Sequence, residues 1–136
     1  MAGAALGSNP IHCLRCNLEI PLEQLDLDDA LVDAIADWRS TYQAIDVLEL
    51  ASGPYEGWAR AQLLNAGSPP NADGLAVNKR LNARFRCYFW FWQAEADMGF
   101  RPRSTCPVCR GPLDRSDAGI FPQRLCEQDR VVLVGG

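Results

Sequence analysis

Ile11-His12-Cys13-Leu14-Arg15-Cys16-Asn17-Leu18 near the front of the chain and Thr105-Cys106-Pro107-Val108-Cys109-Arg110 near its end carry the spacing that decides the fold. In each, two cysteines stand three positions apart, a separation at which both thiolates of a tight turn can face one cation. Tetrahedral structural zinc favours four thiolates, and two such pairs supply four with no position left for water, which points to architecture rather than catalysis. The pairs therefore predict one structural Zn2+ held by Cys13, Cys16, Cys106 and Cys109, stapling the two ends of the chain together. The 89 residues between Cys16 and Cys106 exceed the roughly 12 to 20 of a compact pair of knuckles. A compact partner is half present downstream: 16 residues after Cys109 comes Cys126-Glu127-Gln128-Asp129, with Asp129 where a second cysteine would stand. Carboxylate oxygen also ligates zinc. Cys106, Cys109, Cys126 and Asp129 are thus an alternative set, one that strands the Cys13/Cys16 pair.

Working outward, the chain has 136 residues, 48% of them apolar and 22% charged, which is enough for one ordinary core and too little for two. A single domain is expected over 1–136, with ribbon halves at 9–21 and 86–134 and a mainly helical insertion at 27–85. From Asp28 the apolar residues Leu31, Ile35, Trp38, Tyr42, Ile45 and Leu48 recur at three- and four-residue steps, the period of an amphipathic helix. Asp26 or Asp28 is its expected cap and Ser52-Gly53-Pro54 its end. Pro54 suits the first turn of a second helix running through Trp58, Ala61, Leu63 and Leu64 to Gly67. Ser68-Pro69-Pro70-Asn71 reads as a loop, and Asp73 to about Arg84 as a third helix with Leu75, Leu81 and Phe85 inward. Cys87-Tyr88-Phe89-Trp90-Phe91-Trp92 has the composition of a strand buried on both faces, and Val131 to Val134 makes a last strand. The fold class is α+β: a zinc ribbon of short antiparallel strands from both chain ends, with helices inserted between the knuckles.

No stretch approaches the roughly 18 to 20 uninterrupted apolar residues of a membrane span. The first seven residues lack the basic flank and length of a secretory signal. Without export, the cysteines are expected to remain reduced, and scattered disulfides give way to metal ligation. A soluble, cytoplasmic protein is expected, with no membrane partner. Net charge is −4, divided into −7 over residues 1–60 and +3 over residues 61–136. That division counsels against a phosphate backbone as main partner while leaving a local basic face in the later half.

Several of these features resemble the bacterial DUF2310 family of zinc-ribbon proteins, a family of unknown function for which nucleic-acid binding has been conjectured. The resemblance covers residues 11 to about 133. It rests on Cys13-Leu14-Arg15-Cys16 with Pro21 beyond it, Trp38 with Tyr42 and Asp46, Gly53 with Glu56, the aromatic run ending near Trp92, Cys106-Pro107-Val108-Cys109, and Phe121 before Cys126. It implies a zinc-ribbon fold. Family members commonly complete a further Cys-x-x-Cys at the last position, from which this chain departs at Asp129.

Other residues offer two readings each. Trp38, Tyr42 and Trp58 with Asp46 and Glu56 have spacings that could build an aromatic, acidic pocket between the first two helices; an ordinary helix-helix core with acids facing water explains them as well. Arg80, Arg84, Arg86, Arg101, Arg103 and Arg110 flank the aromatic strand, an arrangement from which a phosphate-tracking surface with stacking bases could be made. Burial of that strand on both faces would remove the stacking platform. His12, the single histidine, adjoins Cys13 without a convergent carboxylate, which is no catalytic constellation. Cys87 reads as a small buried hydrophobe. Gly135-Gly136 has the form of a sulfur-carrier tail, although the β-grasp pattern such tails accompany is missing. No phosphate loop, nucleophile-His pair or open metal position is found, so the chain reads as a non-enzymatic binding or adaptor module for a macromolecular partner, a protein first and nucleic acid second. The alternative is an accessory subunit of an enzyme system whose helical insertion holds a substrate or carrier protein.

Overall fold

A computed structural model describes residues 9–93 and 103–134. The architecture is mixed α+β: helices α1 (Asp29–Ala51), α2 (Glu56–Leu64) and α3 (Pro69–Leu81) lie against a four-stranded sheet of β1 (Phe89–Trp90), β2 (Asp114–Ser116), β3 (Gln123–Cys126) and β4 (Val131–Val134), in the order β1-β4-β3-β2. A short 3-10 turn, Leu22–Leu25, leads into α1.

α1 starts where Asp28, in extended backbone, accepts the Leu31 amide on Oδ1 at 2.8 Å, a cap worth about 1 kcal/mol. Its inward face is Leu31, Ile35, Trp38, Tyr42 and Ile45, the stripe expected from the period. In α2 the Glu56 carboxylate turns back onto the Gly53 amide at 3.1 Å, and Ala59 and Leu63 face the core. Trp58, placed along the same helix by the sequence, is 53% exposed instead. The expected loop at residues 68–71 is corrected: α3 begins at Pro69, because first-turn prolines lack only amides that no helical carbonyl would have used and proline presets a helical φ.

α3 and its C-cap carry three asparagines, at spacings of seven and four residues, that organise the layers. Asn71 Nδ2 donates to the carbonyls of Leu63 and Asn65 at 3.0 and 2.8 Å, closing the end of α2. Asn78 Nδ2 donates to the Arg130 carbonyl at 3.2 Å. Asn82 Oδ1 accepts the Cys87 amide at 3.2 Å while its Nδ2 donates to the Cys87 carbonyl at 2.7 Å, which aims the chain into β1. Gly74 is the close approach between layers: a Cβ there would lie 2.4 Å from Phe89 Cε2 and 2.7 Å from Trp38 Nε1.

β1 is parallel to β4, with Phe89 opposite Val131 and Trp90 opposite Val132, and only the other two pairings are antiparallel. The expected wholly antiparallel ribbon from both chain ends is therefore corrected to a mixed sheet. The first knuckle adds an isolated bridge, His12 to Glu19, rather than a strand. Two-sided burial of the aromatic run holds: Phe89, Phe91, Val131 and Leu133 join the helices in one core, while Tyr88 and Val132 form a second cluster with Leu14, Trp90 and Leu125. Each fully buried side chain of this size contributes about 1.5 to 3 kcal/mol. The sheet thus lies between the helical layer and the Cys13 turn. No helix among the described residues is long and apolar enough to cross a membrane.

Candidate metal centre

Two turns meet at one edge of the sheet. Cys106 donates its amide to the Gly111 carbonyl and accepts the Arg110 amide on its own carbonyl, at 2.8 and 2.9 Å. The amides of Val108 and Gly111 approach the sulfurs of Cys106 and Cys109, each at 3.4 Å. The β3-β4 hairpin supplies the second turn, in which the Asp129 amide approaches Cys126 Sγ at 3.5 Å. Arg110 and Arg130, each four residues after the leading cysteine, sit in the left-handed region at φ 63° and 53°.

Cys106, Cys109, Cys126 and Asp129 each offer one ligand atom, all within 4.8 Å of one another, and this group could hold a metal ion. Cys109 Sγ lies 3.7 Å from Cys126 Sγ. The Cys106 and Cys126 thiols point at Asp129 Oδ2 from 3.4 and 3.5 Å. Burial pushes the Cys106 thiol up to about 12, with the neighbouring Cys126 and Asp129 adding to the rise against amide bonds from Cys109 and Val108. Burial likewise raises Cys126. Desolvation opposes thiolates here unless a cation supplies the compensating charge.

The structure groups Cys106 and Cys109 with Cys126 and Asp129, the alternative set. Cys13 and Cys16 do not join the Cys106 group. Their turn packs over the far end of β3: Gln123 Nε2 donates to the Leu14 carbonyl at 2.9 Å, and the Ile120 amide to the Arg15 carbonyl at 2.9 Å. Gln123 and Cys126 are the two ends of β3, three extended residues or about 10 Å apart. The 16-residue spacing from Cys109 to Cys126 was the legible signal, outranked by the preference for four thiolates. His12 is buried, its ring nitrogens 3.1 and 3.2 Å from the carbonyls of Asn17 and Asn9.

Of the two readings of the α1-α2 aromatics, the helix-helix core describes Trp38 and Tyr42, while Trp58 is exposed. Trp38 and Tyr42 are 4% and 2% exposed, Trp38 Nε1 donates to the Pro70 carbonyl at 3.0 Å, and its ring meets Tyr42 and Phe89 at centroid distances of 5.4 and 5.9 Å. Glu56 accepts the Gly53 amide, and Asp46 is half-buried on α1 with its carboxyl raised by that burial and by Glu49. Arg80, Arg84, Arg86, Arg103 and Arg110 are exposed, and Arg103 lies over the Phe91 ring at 5.9 Å. Arg101 and Gly135-Gly136 lie outside the described residues.

A polar clamp beside the hairpin escaped the sequence reading. Tyr88 donates its hydroxyl to Glu127 Oε1 at 2.6 Å, and Arg130 bonds Glu127 Oε2 at 2.6 Å while lying over the Tyr88 ring at 5.6 Å. It ties β1 to the turn that presents Cys126 and Asp129.

Comparisons with protein-family models, with curated proteins and with solved structures return no match.

Proposed function

We propose that this chain is a zinc-stabilised, non-enzymatic binding module, in which residues 104–134 form a zinc ribbon that fixes the sheet and the helices present a docking surface to a protein partner. The observation that carries the reading is the closed donor set of Cys106, Cys109, Cys126 and Asp129. For zinc-sulfur bonds of about 2.3 Å and a zinc-oxygen bond of about 2.1 Å, a tetrahedron has sulfur-sulfur edges of about 3.8 Å and sulfur-oxygen edges of about 3.6 Å. Three of the six edges of the cluster are 3.7 Å between sulfurs and 3.4 and 3.5 Å from sulfur to oxygen, and all lie within 4.8 Å. Four protein ligands leave no position for a reacting water, which argues for a structural ion.

A protein partner is favoured over single-stranded nucleic acid by where the aromatics lie. Tyr88, Phe89 and Phe91 are 4% or less exposed, so the arginines around them have no adjacent row of rings on which bases could stack. Val47, Leu50, Tyr55 and Trp58, around the α1-α2 corner, are all more than half exposed, and exposed apolar residues gathered at one corner suit a protein contact. Metal analysis and X-ray absorption test the centre: a tightly held zinc with three sulfurs and one oxygen supports the reading, and a purified chain that holds none sinks it. Capture on Leu50→Glu/Trp58→Glu beside the parent chain tests the surface. A partner retained by the parent and lost by the variant supports it, whereas an eluate of nucleic acid unaffected by the variant overturns the protein-partner reading.

A further inference from the structure

The chain contains one knuckle more than its closed metal centre uses. In the first knuckle the Cys13 amide donates to the Leu18 carbonyl at 2.9 Å, the Asn17 amide donates back to the Cys13 carbonyl at 2.8 Å, and Asn17 is left-handed at φ 58°. The Cys106 knuckle has the same pattern at the same offsets, with Gly111 five residues on, Arg110 four residues on, and φ 63°. The third repeats it, pairing Cys126 with Val131 in the β3-β4 register and placing Arg130 at φ 53°. Two of these three turns face each other. The first stands alone over Gln123, at the opposite end of β3.

Its backbone is already set for a bound cation. Amides of Cys16 and Arg15 and the Cys16 thiol point at Cys13 Sγ. Asn17 keeps a left-handed backbone without being glycine, which costs on the order of 1 kcal/mol. Cys16 is exposed and Cys13 partly so. Among the described residues no third cysteine, histidine or carboxylate closes on the pair, and the nearby His12 ring has a backbone carbonyl beside each nitrogen. Leu18, Ile120 and Phe121, 69%, 62% and 43% exposed, are apolar side chains of this turn and of the loop bonded to it.

We propose that Cys13 and Cys16 form a second, open metal site: a two-thiolate half-site for a thiophilic divalent cation of the zinc type, whose remaining two positions are filled from outside the knuckle, by solvent or by the same knuckle of a second copy. A zinc-type ion takes four ligands, so two thiolates on a preformed turn are half of a site. The proposal is independent of the closed centre, because the ligand sets share no residue.

The test is a metal titration of the full chain under reducing conditions, with zinc and with cobalt(II), followed by metal per chain, thiolate-to-cobalt absorption and mass by light scattering. The parent chain is expected to take metal beyond the ion of the closed centre. Cys13→Ser and Cys16→Ser are each expected to remove that extra metal and its charge-transfer absorption while keeping the first ion. Two ions per chain at unchanged mass identify solvent as the outer ligand. Three ions per pair of chains at doubled mass identify a second copy. Saturation at the closed-centre ion alone overturns the proposal, as does extra metal that survives both serine variants. Cys126→Ser separates the two readings: loss of the tight ion with the weaker one retained leaves this site standing by itself.

Discussion

Asn78 on α3 donates to the carbonyl of Arg130, the left-handed residue that ends the Cys126 turn, and so ties the helical layer directly to the β3-β4 hairpin that presents Cys126 and Asp129. The same carbonyl accepts the Phe89 amide at 2.7 Å. Helix, first strand and hairpin turn converge on one oxygen. Asn78 is 1% exposed, and its removal leaves that oxygen with one partner instead of two. Asn78→Ala is expected to cost about 1 to 2 kcal/mol, read as a lower urea midpoint with the metal present. An unchanged midpoint would show that the Phe89 amide alone suffices.

Loss of a closed-centre ligand should be far more severe. Cys106→Ser and Cys126→Ser are expected to release the tightly held zinc and loosen the hairpin while much of the helical circular dichroism persists, because α1 and α2 draw on their own stripe. Cys13→Ser should retain that ion. Cys87 is buried in the core and is not among the grouped ligands, and Cys87→Ser should also keep it. Metal per chain after gel filtration checks all four. Retention by Cys126→Ser would overturn the ligand assignment.

Gly74→Ala sets helix propensity against packing. Alanine in a helix interior gains about 1 kcal/mol over glycine. Here its methyl would press on Phe89 and Trp38, at the approaches given above, and overpacking of this kind costs about 1 to 3 kcal/mol. A net loss of stability is expected, with a change in Trp38 fluorescence. A rise in Tm would show that the layers separate easily.

Asp46 should give a pH-dependent effect. Burial, then Glu49, raises its carboxyl in the folded chain, so the folded state binds its proton more tightly than the unfolded state does. Its contribution is fully present below the unfolded value near 3.9 and is lost as pH rises through the raised folded value. Asp46→Asn is therefore expected to be more stable than the parent at pH 7, with the advantage shrinking toward pH 4. Comparing parent and variant at each pH cancels the acid sensitivity of the metal centre. An advantage independent of pH would assign the gain to something other than the charge.

What the sequence made legible followed from the strength of the local signal. The α1 stripe from Leu31 to Ile45 repeats through a long helix behind an Asp28 cap, and no competing period interrupts it. The second knuckle was equally plain. Pro69-Pro70 misled because two prolines read as a break unless they fall in a first turn. The partner of Cys106 and Cys109 was visible as Cys126-x-x-Asp129 but ranked second, since a complete Cys-x-x-Cys outweighs one ending in a carboxylate. Pairing of Phe89 with Val131 joins residues 42 apart, and nothing local encodes such a register. The three asparagines of α3 and its C-cap stand seven and four residues apart, yet buried amides leave no mark in a hydropathy pattern.

The parallel pairing of β1 with β4 also fixes an order of events during synthesis. A ribosome releases the chain from its front, at roughly 5 to 20 residues per second, so the three helices emerge before Val131, Val132 and Leu133 exist to pair with Phe89 and Trp90. Until then the nascent layer lacks its floor, and Phe89 and Phe91 await their covering strand. The candidate ligands from Cys106 to Asp129 arrive within the same stretch, so assembly of the candidate metal centre and completion of the sheet fall together.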